Sequence, residues 1–253
     1  MRVLAAALAV LVIGLVTACR NPFGRQYEYE EQMYLSVDGS ATVTINASIP
    51  ALVALRGLPV DASMDRNALS DVVERAGCAA PRVGRPWTRQ GRRFAQIRLA
   101  VDDVTRLGAC GLLAWSSYRL ENEQGVIRYR QALGAAAGGD PGAVNWDGGE
   151  IVGFKLHLPS RILFHNVKRL EDGSNGAPER GNILAWEQYL TDRRAGRPLE
   201  MEVRMEAQSI LFHAVRLFLG ALIAAVAVLA GVVWLVIRRG RRRAYRPPAS
   251  RMS

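Results

Sequence analysis

The sequence predicts an α+β domain, a mainly antiparallel sheet with a few short helices, followed by one C-terminal transmembrane helix. Three observations lead there. Apolar and polar residues alternate with period two in short runs separated by glycine, proline and aspartate turns, as half-buried strands require. Few windows show the i, i+3, i+4 spacing of an amphipathic helix. Leu217 to Ile237 carries no charge and runs straight into Arg238-Arg239-Gly240-Arg241-Arg242-Arg243.

The N-terminus has the layout of a secretory signal. Arg2 precedes an apolar stretch from Val3 to Val16, then small residues. The stretch is short for a span, which needs about 20 apolar residues. Val16-Thr17-Ala18-Cys19 resembles the bacterial lipobox. In that motif the cysteine sulfur receives diacylglycerol, and small neighbours let a peptidase reach the backbone. Residues 1–18 are therefore expected to be a signal peptide and Cys19 a lipidation site. The alternative is an uncleaved anchor or ordinary cleavage, with Cys19 a bystander.

Tyr27 to Ile49 reads as a hairpin turning at Asp38-Gly39, a dipeptide suited to the positive φ angles of a tight primed turn. Pro50 ends the second strand, and Ala51–Arg56 is a short helical turn. Asp65 to Gly77 is an amphipathic helix, capped by Asp65, with Leu69, Val72, Val73 and Ala76 on its apolar face. Two extended runs follow, Pro81–Thr88 and Phe94–Val101, joined by Arg89-Gln90-Gly91-Arg92. Asp102-Asp103 opens a short helix over Val104–Ala109 rather than forming a catalytic pair. Leu113–Leu120 and Val126–Leu133 form a second hairpin.

Ala135–Gly149 is rich in glycine and alanine and is the candidate joint between subdomains. Beyond it, Glu150–Leu158, Ile162–Leu170, Asn182–Tyr189 and Leu199–Ala207 read as strands. In the last, Met201, Val203 and Met205 alternate with Glu200, Glu202, Arg204 and Glu206, the mark of a sheet with one solvated face.

The predicted organisation is a signal peptide over 1–18, an exterior α+β domain over 19–209, a transmembrane helix over 210–237 and a basic cytoplasmic tail over 238–253. Arg238, Arg239, Arg241, Arg242 and Arg243 determine the topology, because basic residues flanking a span stay in the cytoplasm. The secretory signal also places the residues after Cys19 outside, so both ends agree. Localisation is then the bacterial cytoplasmic membrane, lipid-anchored and single-pass. Gly220, Ala224, Ala227 and Gly231 are small residues of the kind that permit close helix packing.

The formal charge of +10 is mostly that tail: its seven arginines and Arg2 account for eight of the ten charges. The near-neutral region between gives no sign of nucleic-acid binding, and membrane lipid is the partner the basic tail points to. Of three cysteines, Cys78 and Cys110 remain once Cys19 is assigned to lipid. An even pair in an oxidising compartment predicts a disulfide, the alternative being two buried thiols.

Catalysis needs a nucleophile beside a base, paired carboxylates or a metal cluster. His157, His165 and His213 are the histidines on the exterior side. His165 lies in Phe164-His165-Asn166, but a lone strand histidine is more often structural. Asp140, Asp147 and Glu150 do not match the ligand spacing of a calcium loop. No catalytic residue, metal site or cofactor is predicted. Trp87, Trp115, Trp146 and Trp186 are core candidates, or the lining of an apolar groove.

Read in order, these parts resemble the LppM-type envelope lipoprotein family. The resemblance rests on the lipobox, on the first strand and turn Leu35-Ser36-Val37-Asp38-Gly39-Ser40, and on Asn182-Ile183-Leu184-Ala185-Trp186-Glu187. One more strand then leads directly into a single span and a basic tail. The midsection with Cys78 and Cys110 does not align. The resemblance implies an exported, membrane-tethered α/β domain with lipid or glycolipid as its expected ligand, and does not imply catalysis. Pairing with another envelope protein through an edge strand is the alternative role.

Overall fold

The computed structural model describes residues 25–179 and 181–244, with side chains along the last helix over 215–239. It is α+β as predicted. Strands β1 (Tyr27–Leu35) and β2 (Ala41–Ser48) form the first hairpin. Its turn differs from the expected primed pair. Only Gly39 takes positive φ, at 89°, while the Asp38 carboxylate accepts from Ser40 N at 3.0 Å and Ser40 Oγ at 2.7 Å. A side-chain acceptor thus organises this turn. Both central residues are left-handed instead at Gln90-Gly91 (50° and 72°) and Gln124-Gly125 (51° and 83°), the primed geometry that matches strand twist.

Helix α1 (Ile49–Arg56) follows β2 without a loop. Ser48 Oγ accepts from Ala51 N at 3.2 Å, and Pro50 sits in the first turn, where its missing N–H costs nothing. Gly57, at φ 61°, ends the helix and returns its N–H to Val53 O at 2.9 Å. In α2 (Arg66–Arg75), Asp65 caps Asn67 N and Ala68 N at 2.9 Å, and Leu69, Val72 and Val73 are buried. Strands β3 (Arg82–Val83), β4 (Trp87–Arg89) and β5 (Arg92–Val101) come next. A 3-10 helix, Val104–Ala109, is capped by Asp103 at Thr105 N.

The remaining elements are β6 (Ser116–Glu123), β7 (Val126–Leu133), β8 (Ile151–His157), β9 (Ile162–His165), β10 (Ile183–Tyr189), α3 (Leu190–Arg194), β11 (Leu199–Glu206) and α4 (Ile210–Ala244). The seven-stranded sheet runs β10-β8-β1-β2-β5-β3, with β4 also on β5. The four-stranded sheet runs β6-β7-β11-β9. All pairings of named strands are antiparallel except β1 with β8.

The inner faces share one apolar core, with Met33, Val43, Ile45 and Phe154 from the larger sheet and Ile127, Tyr129, Val203 and Met205 from the smaller. The strand directions are aligned. Tyr29 meets Trp115 at 5.4 Å between centroids, Glu31 meets Gln131 and Met33 meets Tyr129. These contacts step down both sheets in the same order, as in aligned sandwiches.

Two predicted strands differ in their bounds: β6 is shifted along the chain and β9 is shorter. β6 begins at Ser116, because Leu112 and Leu113 are fully buried within a turn. β9 stops at His165, and Asn166 then accepts from Glu202 N at 2.9 Å and from Trp186 Nε1 at 3.0 Å, tying both sheets together. The glycine-rich segment read as a joint lies along α1: Ala137 N donates to Leu55 O at 2.9 Å and Gly138 N to Ala54 O at 3.2 Å. A Cβ on Gly139 would come within 2.4 Å of Val53 O, so only glycine allows this approach.

Helix α4 runs 35 residues and continues through the basic cluster. Within it Val215–Arg239 is long and apolar enough to cross a membrane, with mean hydropathy 2.7 and none of it buried.

Candidate functional site

At the end of the sandwich where β1 begins lies a cleft of about 760 Å³. Its floor is α1, through Ile49, Pro50 and Val53. One wall is the segment over 58–62, with Leu58 and Val60. The β4–β5 turn and the strap over 140–145, with Val144, close the others. The volume falls in the range of small-molecule sites, roughly 300–1,000 Å³. An apolar floor with charged groups at the rim suits an amphipathic ligand.

The rim is held by ion pairs and backbone bonds. Arg92 Nε lies 2.9 Å from Glu28 Oε1, and Arg92 Nη1 donates to Asn145 O at 2.9 Å. Glu28 is completely buried, and its other oxygen accepts from Trp146 Nε1 at 3.3 Å. One carboxylate thus joins the hairpin to the strap. Arg93 Nη2 donates to Met64 O at 3.3 Å. Asp61 accepts from Ser63 N at 2.7 Å, and Asp140 from Gly142 N at 2.9 Å. Arg89 donates to Tyr27 O beside the entry of β1. Alternation marks Glu28 only as a strand residue, and no sequence signal shows that it anchors the cleft.

A second polar cluster lies between the sheets. Glu31 is buried, accepting from Gln131 Nε2 and from Tyr29 OH, each at 3.2 Å. Gln131 Nε2 also reaches Ser116 Oγ at 3.2 Å, and Tyr129 OH donates to Gln131 Oε1 at 2.7 Å. Burial pushes the Glu31 carboxyl up to about 7, against the opposing hydrogen bonds of Gln131 and Tyr29 and the charge of Arg56. Arg56 and the fully buried Arg193 hold their guanidinium carbons 4.4 and 5.8 Å from the Trp115 ring centroid. Each also donates to backbone carbonyls, Arg56 to Leu112 O at 2.7 Å and Arg193 to Gly134 O at 2.9 Å.

Among the residues singled out from sequence, Cys78 and Cys110 are joined in a disulfide, with Cα atoms 4.4 Å apart. Beside it Gly111 N donates to Ala76 O at 2.7 Å, holding the end of α2. Cys19 lies outside the described residues. Arg238 stacks 5.0 Å from the Trp234 ring, and Arg239 follows it in α4. Of Arg241, Arg242 and Arg243 only the helical backbone is described.

His157 stacks on Tyr34 at 4.0 Å, while His165 sits on the other sheet. Burial lowers both imidazoles below their ordinary value. Asp147 and Glu150 shape their own turn, Glu150 accepting from Asp147 N and Gly148 N at 2.9 Å. Among the described residues no group of three or more His, Cys, Asp or Glu side chains is placed to hold a metal. Trp115 and Trp186 are core, Trp87 is exposed against Phe94, and none of the four tryptophans read from sequence lines the cleft.

The fold and this site define a class: a two-sheet α+β domain with a cleft at one end and a span-length helix leaving the other. No family model and no curated protein matches the chain. Among solved structures, the NMR structure of the folded domain of Mycobacterium tuberculosis LppM is similar at 11% identity with a TM-score of 0.39. The match covers 74% of this chain and 94% of that one.

Proposed function

We propose that this protein is a membrane-tethered envelope lipoprotein whose exterior domain binds lipid or glycolipid and performs no chemistry on it. The observation that carries the tether is α4. Leu217, Phe218 and Val228 are 76%, 74% and 68% exposed, apolar surface on a scale that needs a bilayer around it. The cleft supports binding. Its apolar floor fits an acyl or prenyl chain, and Arg92, Arg93 and Gln90 at the rim fit a polar head group. The charged groups there are engaged in ion pairs and backbone bonds, which suits shape-holding better than proton transfer.

The test is native mass spectrometry of the full chain taken from its membrane, beside Val144→Arg, which sets a charge on the apolar strap at an incompletely buried position. Bound lipid in the parent, lost in the variant with an unchanged melting curve, is expected. Lipid occupancy equal in both sinks the cleft as the binding site. Intact mass of Cys19→Ala beside the parent tests the acyl anchor separately.

Partner pairing is the weaker reading. β6 is an eight-residue edge strand, but exposed Arg119, Glu121 and Glu123 guard it as charges guard edges against pairing.

A further inference from the structure

The two tethers leave the domain at opposite ends. The chain enters at Arg25, which pairs with Glu187 of β10 and, at 2.6 Å, with Glu171. Tyr27 then lies beside Ile151, which is level with Tyr189. The chain leaves at Glu206, beside Val126, and α4 starts four residues later. Because the sheets are aligned, these exits are separated by the length of β11, about 25 Å for a strand of this size. Cys19 precedes Arg25 by six residues, a reach of about 20 Å even when fully extended. A domain standing upright on α4 therefore holds Arg25 too high for an acyl chain on Cys19 to sit in the same bilayer.

We propose that double anchorage tips the sandwich onto the flank formed by β9, β10 and the loop between them, and that this flank rests on the phospholipid bilayer that α4 spans. The proposal rests on the reading of Cys19 as acylated and α4 as a span. Both exits lie on this half of the molecule. β11 adjoins β9, and Arg25 is held to β10 through Glu187. Trp186 of β10 bonded to Asn166 just past β9 shows that the two strands share one side.

The surface agrees. Outside α4, the exposed large apolar side chains among the described residues are Tyr34, Trp87, Leu163, Phe164 and Tyr189, and the last three are on this flank. Leu163 and Phe164 lie at the α4 end, the Phe164 ring 5.0 Å from the Arg204 guanidinium on the outer face of the smaller sheet, and Tyr189 lies at the cleft end. Aromatic and aliphatic groups of this kind favour the membrane interface. Arg25 offsets one of the two carboxylates it pairs with, Glu171 and Glu187, so this cluster carries a net charge of only −1 toward the surface. The cleft, on the β2–β5 side of the larger sheet, stays clear of the contact and open to the exterior.

The experiment uses the full chain, purified from its membrane and reconstituted in phosphatidylethanolamine–phosphatidylglycerol vesicles doped with a head-group energy acceptor. A donor is placed on Ala177→Cys, in the flank loop, or on Glu74→Cys, on α2 at the opposite edge. Both native positions are exposed. Transfer several-fold greater from position 177 than from 74 is expected. The difference should shrink in Cys19→Ala, and fall further when Leu163→Ser and Phe164→Ser are added. Acylated protein with equal transfer from both positions overturns this proposal and leaves the lipoprotein reading standing. An unacylated intact mass removes the premise and overturns both.

Discussion

A carboxyl buried between the two sheets is the residue whose behaviour is most sharply set by its surroundings. Glu31 holds its proton to about pH 7 in the folded chain, against an ordinary value of 4.5. Between those values the folded state binds more protons than the unfolded. Its contribution to stability is therefore full below 4.5 and is lost as pH rises through about 7. Glu31→Gln keeps the hydrogen-bonding shape without the titration. Urea unfolding from pH 4.5 to 8 should show the variant gaining on the parent, reaching about 3 kcal/mol above pH 7. His157 and His165, with lowered values, act in the opposite direction in both proteins, so the difference between the two curves isolates Glu31. A flat difference would mean that the Glu31 carboxyl titrates as it does in water.

Glu28 works by pairing. Glu28→Ala leaves the Arg92 guanidinium, only 12% exposed, without its partner and frees Trp146 from below. Removing one member of a buried pair costs about 3–5 kcal/mol. A denaturant midpoint lowered by that amount, with faster proteolysis over 134–149, is expected; a strap as protected as in the parent would show that Glu28 does not hold it.

At the scale of elements, the disulfide closes a loop with a sequence separation of 32. Chain entropy then predicts a contribution of about 3–4 kcal/mol. Cys78→Ser with Cys110→Ser should lower stability by that much, and reductant should have no further effect on the double variant. Equal midpoints for parent and double variant would show that the packing of α2 against Gly111 suffices alone. Local chemistry made most elements legible. The cap at Asp65, Pro50 after Ser48 and the alternation in β11 act within a few residues, so they are visible in one dimension. The turn at Asp38 departs from the expected primed pair because Asp-Gly serves two turn geometries, and the side-chain bond to Ser40 selects between them. β6 starts three residues later than expected and β9 stops sooner because Leu113 and Asn166 answer to distant neighbours.

At the scale of the molecule, one core takes residues from before and after the strap, and β1 pairs with β8 across it. The two-sheet domain should unfold in a single transition, with tryptophan fluorescence and far-ultraviolet dichroism coinciding in urea. Two separated transitions would place a subdomain boundary near 135–149.

The fold class, the span-length helix and most strand positions were determined by sequence alone, because hydropathy period, caps and the length of an uncharged run are local quantities. Alternation says that a segment is a strand and which side is apolar, but not which strand lies beside it. Only the tertiary structure decided that β8 runs parallel to β1, that Glu28 and Arg92 anchor a cleft, and that Glu31 is sealed between the sheets. Those outcomes depend on residues 64 to 124 positions apart meeting in space, from Arg92 and Glu28 to Tyr27 and Ile151. Such meetings are fixed by how two sheets share one core, a property no single stretch of chain contains.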